Sequence, residues 1–438
     1  LTFKLLAKFT KGTNRETRLG ELRDMRGCSQ MADYSIPYGK NSLRFSLPDS
    51  ASVDVIAPQS VPAAQNPDKM IAAALQTSNL DRFANVETVS IAINDKTRPV
   101  PHDELLPPLL ETLETMGIAR EAITLIIATG AHPPMPGTAF SQVVPAKVLS
   151  RYRVISHDCD DAANLIPLGE TERGTPVSAN RTYAQADLRI VVGNIEPHQF
   201  QGFSGGVKSA AIGLAGRETI EANHAWMTDP QSRLGAFESN PTRQDVEEIG
   251  AIIGIHYAIN VIINDKKEIL RVLAGDPADV ITAAIPMVRE IYQVEVDHLY
   301  DLMIVSPGGH PKDINLYQAQ KALAHAALVT KPDGTIILAA ACPQGAGEER
   351  FEDWMLDTTS LDAILERFRQ EGFCLGPHKA YQIARDVRGR SFFLLSEMPI
   401  SYLERLHLVP VTDLQALLQT ELPAKEHIAV MPYANATI

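Results

Sequence analysis

Residues 188–224, LRIVVGNIEPHQFQGFSGGVKSAAIGLAGRETIEANH, contain the pattern that decides the fold. The run 188–192 is short, apolar and rich in Val and Ile, which is typical of a buried strand. It ends abruptly at Gly193 and Asn194, and a glycine-rich segment with Lys208 follows. A strand that leads through a tight turn into a helix is the unit from which α/β proteins with parallel sheets are built.

The same pattern recurs on both sides of this stretch. Further short apolar runs that end in Gly, Asp, Asn or Pro predict strands at 89–93, 123–128, 258–263, 302–305 and 335–341. Helical segments are predicted between many of them, for example at 102–116, 277–292 and 316–329. The alternation predicts an α/β fold with largely parallel sheets. Polar loops follow four of the strands, and ligands of open α/β sheets bind at the carboxyl ends of strands, so we expect one shared cleft.

The length of the chain predicts two domains. A chain of 438 residues is too long for one ordinary core. A strand ends near residue 264, a helix follows, and a new strand and Gly-Gly turn begin at residue 302. We therefore predict an N-terminal domain over 31–275 and a C-terminal α/β domain over 290–438. Residues 1–30 are basic, and we predict a disordered extension there, with a targeting arm as the alternative.

Composition excludes some classes of function. The net charge is −13, and clustered Lys and Arg are needed to bind phosphate backbones or anionic lipid, so we expect neither a nucleic acid nor a membrane as partner. No run of about 18 apolar residues predicts a membrane span. The four cysteines are far apart and form no C-x-x-C pair. They predict reduced thiols in a cytoplasmic protein, and they argue against a structural zinc site.

Lys208 lies in a glycine-rich turn, which is either a loop that binds an anion, as a P-loop does, or a simple tight turn. Gly205 and Gly206 let the backbone approach a ligand closely, and Ser204 is suited to cap a helix that faces an anion. A P-loop requires Gly immediately before Lys, whereas Val207 occupies that position here. The alternative is a tight turn with a surface lysine.

The spacing between Lys208 and His224 predicts a broken helix. The two residues are 16 positions apart, and one straight helix would separate them by about 24 Å. If both contact one small cofactor, the helix must break between them. Gly213 and Gly216 are the expected places, because Gly disfavours helix interiors.

Two histidines follow predicted strands and are candidates for acid/base chemistry. His132 comes after Gly130, and the following Pro133-Pro134 prevents a helix from running through it. His198 comes after Pro197 at the end of another strand. Histidine exchanges protons near neutrality, so the pair is suited to general acid/base work. Taken singly, each is more often a structural histidine.

Two segments supply groups that bind anions. Asp95 and Arg98 are three positions apart, and the guanidinium can hold a carboxylate in a forked geometry, although a surface ion pair is the alternative. Gln318 and Lys321 are also three apart, on a predicted helix, and therefore share a face. Lys321 is a second candidate anchor for an anionic substrate, and an ordinary first helical turn is the alternative.

At these residues the sequence resembles the nickel-pincer-dependent lactate racemase family, from about residue 34 to the end. The resemblance rests on H-x-F-x-G-F-S-G-G-x-K at 198–208 and the downstream N-H at 223–224. The segments D-x-x-R-P at 95–99, A-T-G-x-H at 128–132 and Y-Q-x-x-K at 317–321 occur in the expected order.

The resemblance implies a two-domain α/β enzyme with its site at the domain interface, the first domain binding the cofactor. The cofactor would be a nickel-pincer nucleotide, a pyridinium-3,5-bisthiocarboxylic acid mononucleotide with nickel, covalently attached through Lys208. His224 would ligate the nickel, and the turn with Gly205 and Gly206 would lie against the cofactor. His132 and His198 would act as alternate bases. The remaining implied contacts are Asp95 beside the cofactor and, with the substrate, Arg98, Tyr317, Gln318, Lys321 and, approximately, Trp354.

The implied activity is inversion of C2 of a small 2-hydroxy acid. Because the α-carbon is weakly acidic, removal of hydride to give a 2-keto acid, and its return to the other face, is more accessible than proton abstraction. Arg98 and Lys321 would hold the carboxylate of this anionic substrate. Proteins that build the cofactor are implied as partners.

This sequence departs from the family at two places. Pro133-Pro134 follows the A-T-G-x-H segment where the family commonly has Arg, which leaves the identity of the acid open. Ala210-Ala211-Ile212-Gly213 replaces the usual Pro-Gly segment after the lysine. Two alternatives from other classes stay open on sequence alone, a P-loop-like nucleotide- or phosphate-binding hydrolase and a cofactor carrier without catalysis.

Overall fold

The computed structural model describes residues 31–98, 100–264 and 266–437. The predicted extension at 1–30 lies outside the described residues. Within the described part, no helix is both long enough and apolar enough to cross a membrane.

The strands alternate with helices along most of the chain. In chain order they are β1 (Met31–Tyr38), β2 (Asn41–Pro48), β3 (Ser52–Val55), β4 (Val89–Asn94), β5 (Ile123–Ala128), β6 (Arg153–Ser156), β7 (Leu165–Glu170), β8 (Pro176–Asn180), β9 (Leu188–Asn194), β10 (Pro197–His198), β11 (Gly202–Phe203), β12 (Tyr257–Ile263), β13 (Ile269–Gly275), β14 (Tyr300–Val305), β15 (Thr330–Ala339), β16 (Ser391–Leu395), β17 (Pro410–Val411) and β18 (His427–Met431). All six strands predicted from apolar runs are confirmed.

The helices that connect these strands are, in chain order, α1 (Pro67–Thr77), α2 (His102–Thr115), α3 (Ala146–Leu149), α4 (Arg181–Ala184), α5 (Lys208–Ala211), α6 (Arg217–Ala225), α7 (Pro241–Ile253), α8 (Pro277–Tyr292), α9 (Leu316–Ala319), α10 (Lys321–Val329), α11 (Glu349–Leu356), α12 (Leu361–Glu371), α13 (His378–Val387), α14 (Ile400–Arg405) and α15 (Leu414–Glu421). The predicted helices at 102–116 and 277–292 are confirmed. The segment predicted as one helix at 316–329 is divided at Gln320 into α9 and α10.

The first large sheet has the strand order β13-β12-β9-β4-β5-β6. All of its neighbours pair in parallel except β12 and β13, which are antiparallel. The chain runs from β4 outward to β6 and then returns to place β9 on the other side of β4. Such a reversal of strand order opens a crevice at the carboxyl ends of the central strands.

The second large sheet has the order β17-β16-β15-β14-β18-β3, and every pair in it is parallel. Alternate residues of a strand face opposite sides of the sheet. Met303 and Val305 of β14 therefore join one apolar core, and Leu302 and Ile304 join the core on the other side. The first sheet has the same arrangement, with Ile91 and Ala92 in different cores. The prediction of an α/β fold with largely parallel sheets is confirmed.

Residues 31–56 pack with the second sheet, whereas the predicted division of the chain placed them in the first domain. Strand β3 pairs in parallel with β18 in the second sheet. The β1–β2 hairpin contributes Ile36, Phe45 and Leu47 to a core shared with Leu302 and Ile304. The first segment of the chain therefore completes the second sheet. Its alternating pattern gives no information about a partner strand so distant in sequence. The other predicted domain limits stay predictions.

Candidate active site

A cavity of about 590 Å³ lies between the two sheets. One wall comes from the loops after β4, β5 and β9, and the other comes from α9, α10 and α13. Ten of the predicted site residues line this cavity: Asp95, Arg98, His132, His198, Gly205, Lys208, His224, Tyr317, Gln318 and Lys321. The structure thus brings together residues that are more than 200 positions apart in sequence.

The glycine-rich turn places Lys208 at the cavity wall. Gly205 has φ +78°, and a Cβ there would lie 2.3 Å from Ile195 Cγ1, so only glycine fits against the end of β9. The buried guanidinium of Arg243 donates to the carbonyl oxygens of Phe203 and Gly205, at 3.0 and 3.1 Å. Helix α5 begins directly after this turn, at Lys208.

Lys208 has a buried side chain, 8% exposed. Among the described residues, its amine forms neither a hydrogen bond nor an ion pair. Burial, followed by the charges of Arg98 and Arg243, holds the pKa of Lys208 well below its usual value. A lowered pKa favours the neutral amine, which is the form that attacks an acyl donor as a nucleophile and becomes acylated.

The predicted break between Lys208 and His224 is confirmed. Helix α5 ends at Ala211 and α6 begins at Arg217. A Cβ on Gly213 would lie 2.2 Å from the carbonyl oxygen of Ser209, and the Gly213 carbonyl accepts a hydrogen bond from the Gly130 amide. Gly216 is the N-cap of α6. The chain therefore turns back at both predicted glycines, and Lys208 and His224 reach the same cavity.

His224 is held in one tautomer by its neighbour Asn223. The buried Asn223 Nδ2 donates to Thr242 O and to Asp245 Oδ2, at 3.0 and 2.8 Å, which fixes Oδ1 as the acceptor. Asn223 Oδ1 lies 3.1 Å from His224 Nδ1, so that nitrogen carries the proton. The other ring nitrogen, Nε2, keeps its lone pair. Burial, with the charge of Lys208 next, lowers the pKa of His224 to about 3.

His132 is paired with a carboxylate. Its Nδ1 lies 2.8 Å from Asp95 Oδ2, while Asp95 Oδ1 accepts from the hydroxyl and the amide of Thr97, at 2.6 and 3.1 Å. Burial alone would raise the pKa of Asp95, but the hydrogen bonds from His132 and Thr97 outweigh it, and the pKa is lowered. The ionised carboxylate therefore holds the proton on Nδ1 and leaves Nε2 as the free base.

His198 is oriented by the backbone. It ends strand β10, which pairs with β11 across a short hairpin. Its Nδ1 accepts the amide N–H of Gln201 at 3.2 Å, so the proton of the neutral ring lies on Nε2. The surrounding protein desolvates the ring, and this effect, followed by the charges of Lys208 and Arg98, holds the pKa of His198 well below its usual value.

The predicted carboxylate-binding groups approach the cavity from opposite walls. Arg98 follows β4, and its Nη1 lies 3.4 Å from Glu196 Oε1. Lys321 Nζ donates to Gln318 Oε1 at 2.6 Å, which confirms that these two residues share a face. Burial, with the charge of Arg98 next, lowers the pKa of Lys321 to about 8.

Two predicted residues do not line the cavity. The amide of Gly206 donates to Asn260 Oδ1 at 2.8 Å, so Gly206 supports the turn from behind. Trp354 packs in the core of the second sheet, where the Arg367 guanidinium lies 4.2 Å from its ring. The expectation of a substrate contact at Trp354 is therefore not supported, because α11 directs this side chain into the apolar core.

Sequence reasoning missed His378 and Lys379 at the start of α13. Both are almost fully buried, at 3% and 4% exposed, and both line the cavity. The sequence feature that could have revealed them is a row of polar residues at helical spacing, because Gln382 and Asp386 are buried on the same helix. No sequence motif marked them.

Two largely parallel sheets with helices, and between them a cavity lined by four histidines and by a buried lysine that has no partner among the described residues, define a two-domain α/β enzyme. The chain belongs to the lactate racemase family and is an isomerase: residues 38–235 match the lactate racemase N-terminal domain, and residues 295–431 match the lactate racemase C-terminal domain. This membership does not support the alternative of a P-loop-like hydrolase.

Individual relatives agree with this assignment. Lactate racemase from Thermoanaerobacterium thermosaccharolyticum is 30% identical over 402 residues, covering 88% of this chain and 93% of the relative. Lactate racemase from Lactiplantibacillus plantarum is 28% identical over 347 residues, covering 77% and 81%. The apoprotein structure of the Thermoanaerobacterium racemase superposes with a TM-score of 0.86, at 26% identity, over 93% of this chain and 99% of that one. A Thermotoga maritima protein, 14% identical with a TM-score of 0.63 over 85% and 98%, shares the fold.

Proposed function

We propose that this chain inverts C2 of a small 2-hydroxy acid, with a nickel-pincer nucleotide tethered to Lys208 and nickel ligated by His224. The observation that carries the proposal is the amine of Lys208, which is buried and unpaired among the described residues and lies in the same cavity as His132, His198 and His224. A buried lysine without a counter-charge is costly unless its amine is consumed in a neutral bond, as an amide-type linkage would do.

The residues of the cavity fit such a cofactor. Asn194 Nδ2 and Gln199 Oε1 are buried and unpartnered at the cavity wall, which suits a ligand rich in polar atoms. His224 presents a lone pair on Nε2 while its Nδ1 is held by Asn223, the arrangement by which proteins fix a metal-ligating imidazole. When bound, the cofactor would supply the acceptor for the hydride of C2.

The two histidines supply the complementary proton chemistry. Arg98 and Lys321 bind the substrate carboxylate and orient C2. His132, with Nε2 unprotonated, accepts the proton of the C2 hydroxyl as the C2–H bond is broken. After the resulting carbonyl carbon presents its other face, His198 in its imidazolium form returns a proton to the oxygen and becomes neutral, while His132 is left protonated. The enantiomer reacts in the opposite sense, starting with His132 protonated and His198 neutral, so that the two rings exchange roles.

The proposal also includes the partners that make the cofactor and a location in the cytoplasm.

The test is production of the chain together with cofactor-building proteins of a related system, followed by measurement of bound nickel and of C2 inversion by chiral chromatography. The expected result is about one nickel per chain and conversion of a single enantiomer into a mixture, with Lys208→Arg lacking both. Active protein without nickel, or a nickel-loaded protein that inverts no 2-hydroxy acid, would contradict the proposal.

A further inference from the structure

The cavity wall includes a buried lysine, Lys379, that the proposed reaction does not use. Lys379 is 4% exposed and lines the cavity from α13. Its Nζ donates to Gln382 Oε1 at 2.9 Å and lies 5.6 Å from the centre of the Tyr317 ring. Among the described residues it forms no salt bridge, and Asp386, the nearest acidic group on the same helix, is paired with Arg385 at 2.7 Å.

Hydrogen-bond donors surround this lysine. His378 Nδ1 is buried and has no hydrogen-bond partner in the described part of the chain, and the His378 ring meets the Tyr317 ring edge to face with 6.2 Å between centres. The hydroxyl of Tyr317 has no hydrogen-bond partner among the described residues. Burial, with the charge of Glu348 next, raises the pKa of Tyr317, so its hydroxyl stays protonated. We call Tyr317, His378 and Lys379 the donor cluster.

The charges of the cavity identify what this cluster binds. Among the described residues, Arg217 is paired with Asp160 at 2.6 Å and Arg98 is close to Glu196, whereas Lys208, Lys321 and Lys379 have no carboxylate partner. Arg350, which also lines the cavity, donates to Cys374 Sγ and forms no ion pair with a described carboxylate. The proposed function consumes the charge of Lys208 in the tether and uses Lys321 for the C2 carboxylate. Burial, with the charge of Lys321 next, holds the pKa of Lys379 well below its usual value, and an anion bound beside the amine would offset that repulsion and keep the lysine charged.

We attribute the anion to the substrate because the cluster shares α9 with the proposed carboxylate-binding residues, although Lys379 is also near enough to His224 for its charge to lower the pKa of that ring. The proposed attachment points of the cofactor, Lys208 and His224, are on α5 and α6 of the first sheet. The donor cluster is on α9 and α13 of the second sheet, where Tyr317 is adjacent to Gln318 and close to Lys321. A group bound by the cluster therefore lies beside the substrate carboxylate site.

We propose that the substrate is a dicarboxylic 2-hydroxy acid whose second carboxylate is bound by Lys379, with Tyr317 and His378 as donors. This inference rests on the proposed function and narrows its substrate class. A site built to bind a charged group rejects analogues that lack that group, because its buried donors and charge are then left unpaired.

The first experiment compares three acids on the nickel-loaded enzyme: lactate, malate and gluconate. The expected kcat/KM for inversion of malate exceeds that of lactate and of gluconate by about 100-fold or more. Equal or better inversion of lactate or gluconate would overturn the dicarboxylate inference and leave the proposed function standing. Inversion of none of the acids would contradict the proposed function itself.

The second experiment removes the charge. Lys379→Gln is expected to lower the ratio of kcat/KM for malate to that for lactate by about 30-fold or more, with nickel content unchanged. The exposed Lys147 is a matched control, and Lys147→Gln should leave the ratio as it is. An unchanged ratio in Lys379→Gln, or a loss of nickel, would overturn the inference, since Lys379 would then serve the fold or the cofactor.

A binding measurement tests the subsite without catalysis. In the cofactor-free protein, malate should raise Tm more than lactate does at the same concentration, because a ligand that binds the folded state stabilises it. Lys379→Gln should remove the difference. Equal shifts by the two acids in the unsubstituted protein would overturn the second carboxylate site even if the nickel-loaded enzyme proved inactive.

Discussion

His132 and His198 face the same cavity but are held in opposite ways. A carboxylate, Asp95, pairs with Nδ1 of His132, whereas a backbone amide, that of Gln201, donates to Nδ1 of His198. Nε2 of the first ring is thereby left free to accept a proton, whereas Nε2 of the second ring carries the proton of its neutral form, so that His198 must gain a further proton before it can donate one. A racemase needs an acceptor and a donor for each direction, and the comparison shows how two identical side chains can start the cycle in different states.

Removal of either imidazole is expected to have the largest effect on kcat for inversion. His132→Gln and His198→Gln are each expected to lower kcat for inversion by about 10³-fold, the usual contribution of a positioned acid or base. The measurement is the rate from each pure enantiomer, with His298→Gln, outside the cavity, as the control. Loss of activity in only one of the two variants would contradict the paired roles.

Substitution of Asp95 should affect the tautomer of His132 and leave that of His198 unchanged. In Asp95→Asn the amide can donate to Nδ1 of His132 and reverse its tautomer, so kcat is expected to fall by about 10²-fold. Thr97→Val, which removes one hydrogen bond to Asp95, should cost only a few-fold. Pre-steady-state rates from the two enantiomers would show whether the direction that begins at His132 is slowed more. Equal slowing of both directions would argue against the assigned tautomers.

The third histidine extends the comparison to the metal. Asn223→Leu removes the acceptor at His224 Nδ1 and should weaken nickel binding by about 10-fold to 100-fold. The measurement is nickel retention during dialysis against a chelator, alongside Asn435→Leu as a control outside the cavity. Unchanged retention would mean that the ring is oriented by packing alone.

The pH dependence of KM should report on Lys321, which is proposed to bind the substrate carboxylate, separately from the histidines. In the proposed reaction the Lys321 ammonium binds the substrate carboxylate, and the pKa of Lys321 is lowered to about 8. Above that pH the charge is lost, so KM should rise by about 10-fold per pH unit while kcat changes less. Lys321→Arg should move this rise to higher pH. A KM that is flat from pH 7 to 10 would contradict a role for this ammonium.

The sequence allowed correct prediction of features that depend on neighbouring residues. Apolar runs identified the six strands, and the distance between Lys208 and His224 identified the break at Gly213 and Gly216. Features set by distant packing were not predictable in this way. Strand β3 completes the second sheet, Trp354 lies in a core, and Lys379 reaches the cavity because α13 packs beside α9 and α10. None of these depends on a local pattern.

Lys208 matters most to the proposed reaction, because its covalent bond would hold the cofactor in the cavity. Peptide mass spectrometry of the chain produced with the cofactor-building proteins tests it most directly. The peptide containing Lys208 should carry the added mass of the nucleotide, and the same peptide from cofactor-free protein should not. An unmodified Lys208 in protein that binds nickel and inverts its substrate would contradict a covalent tether.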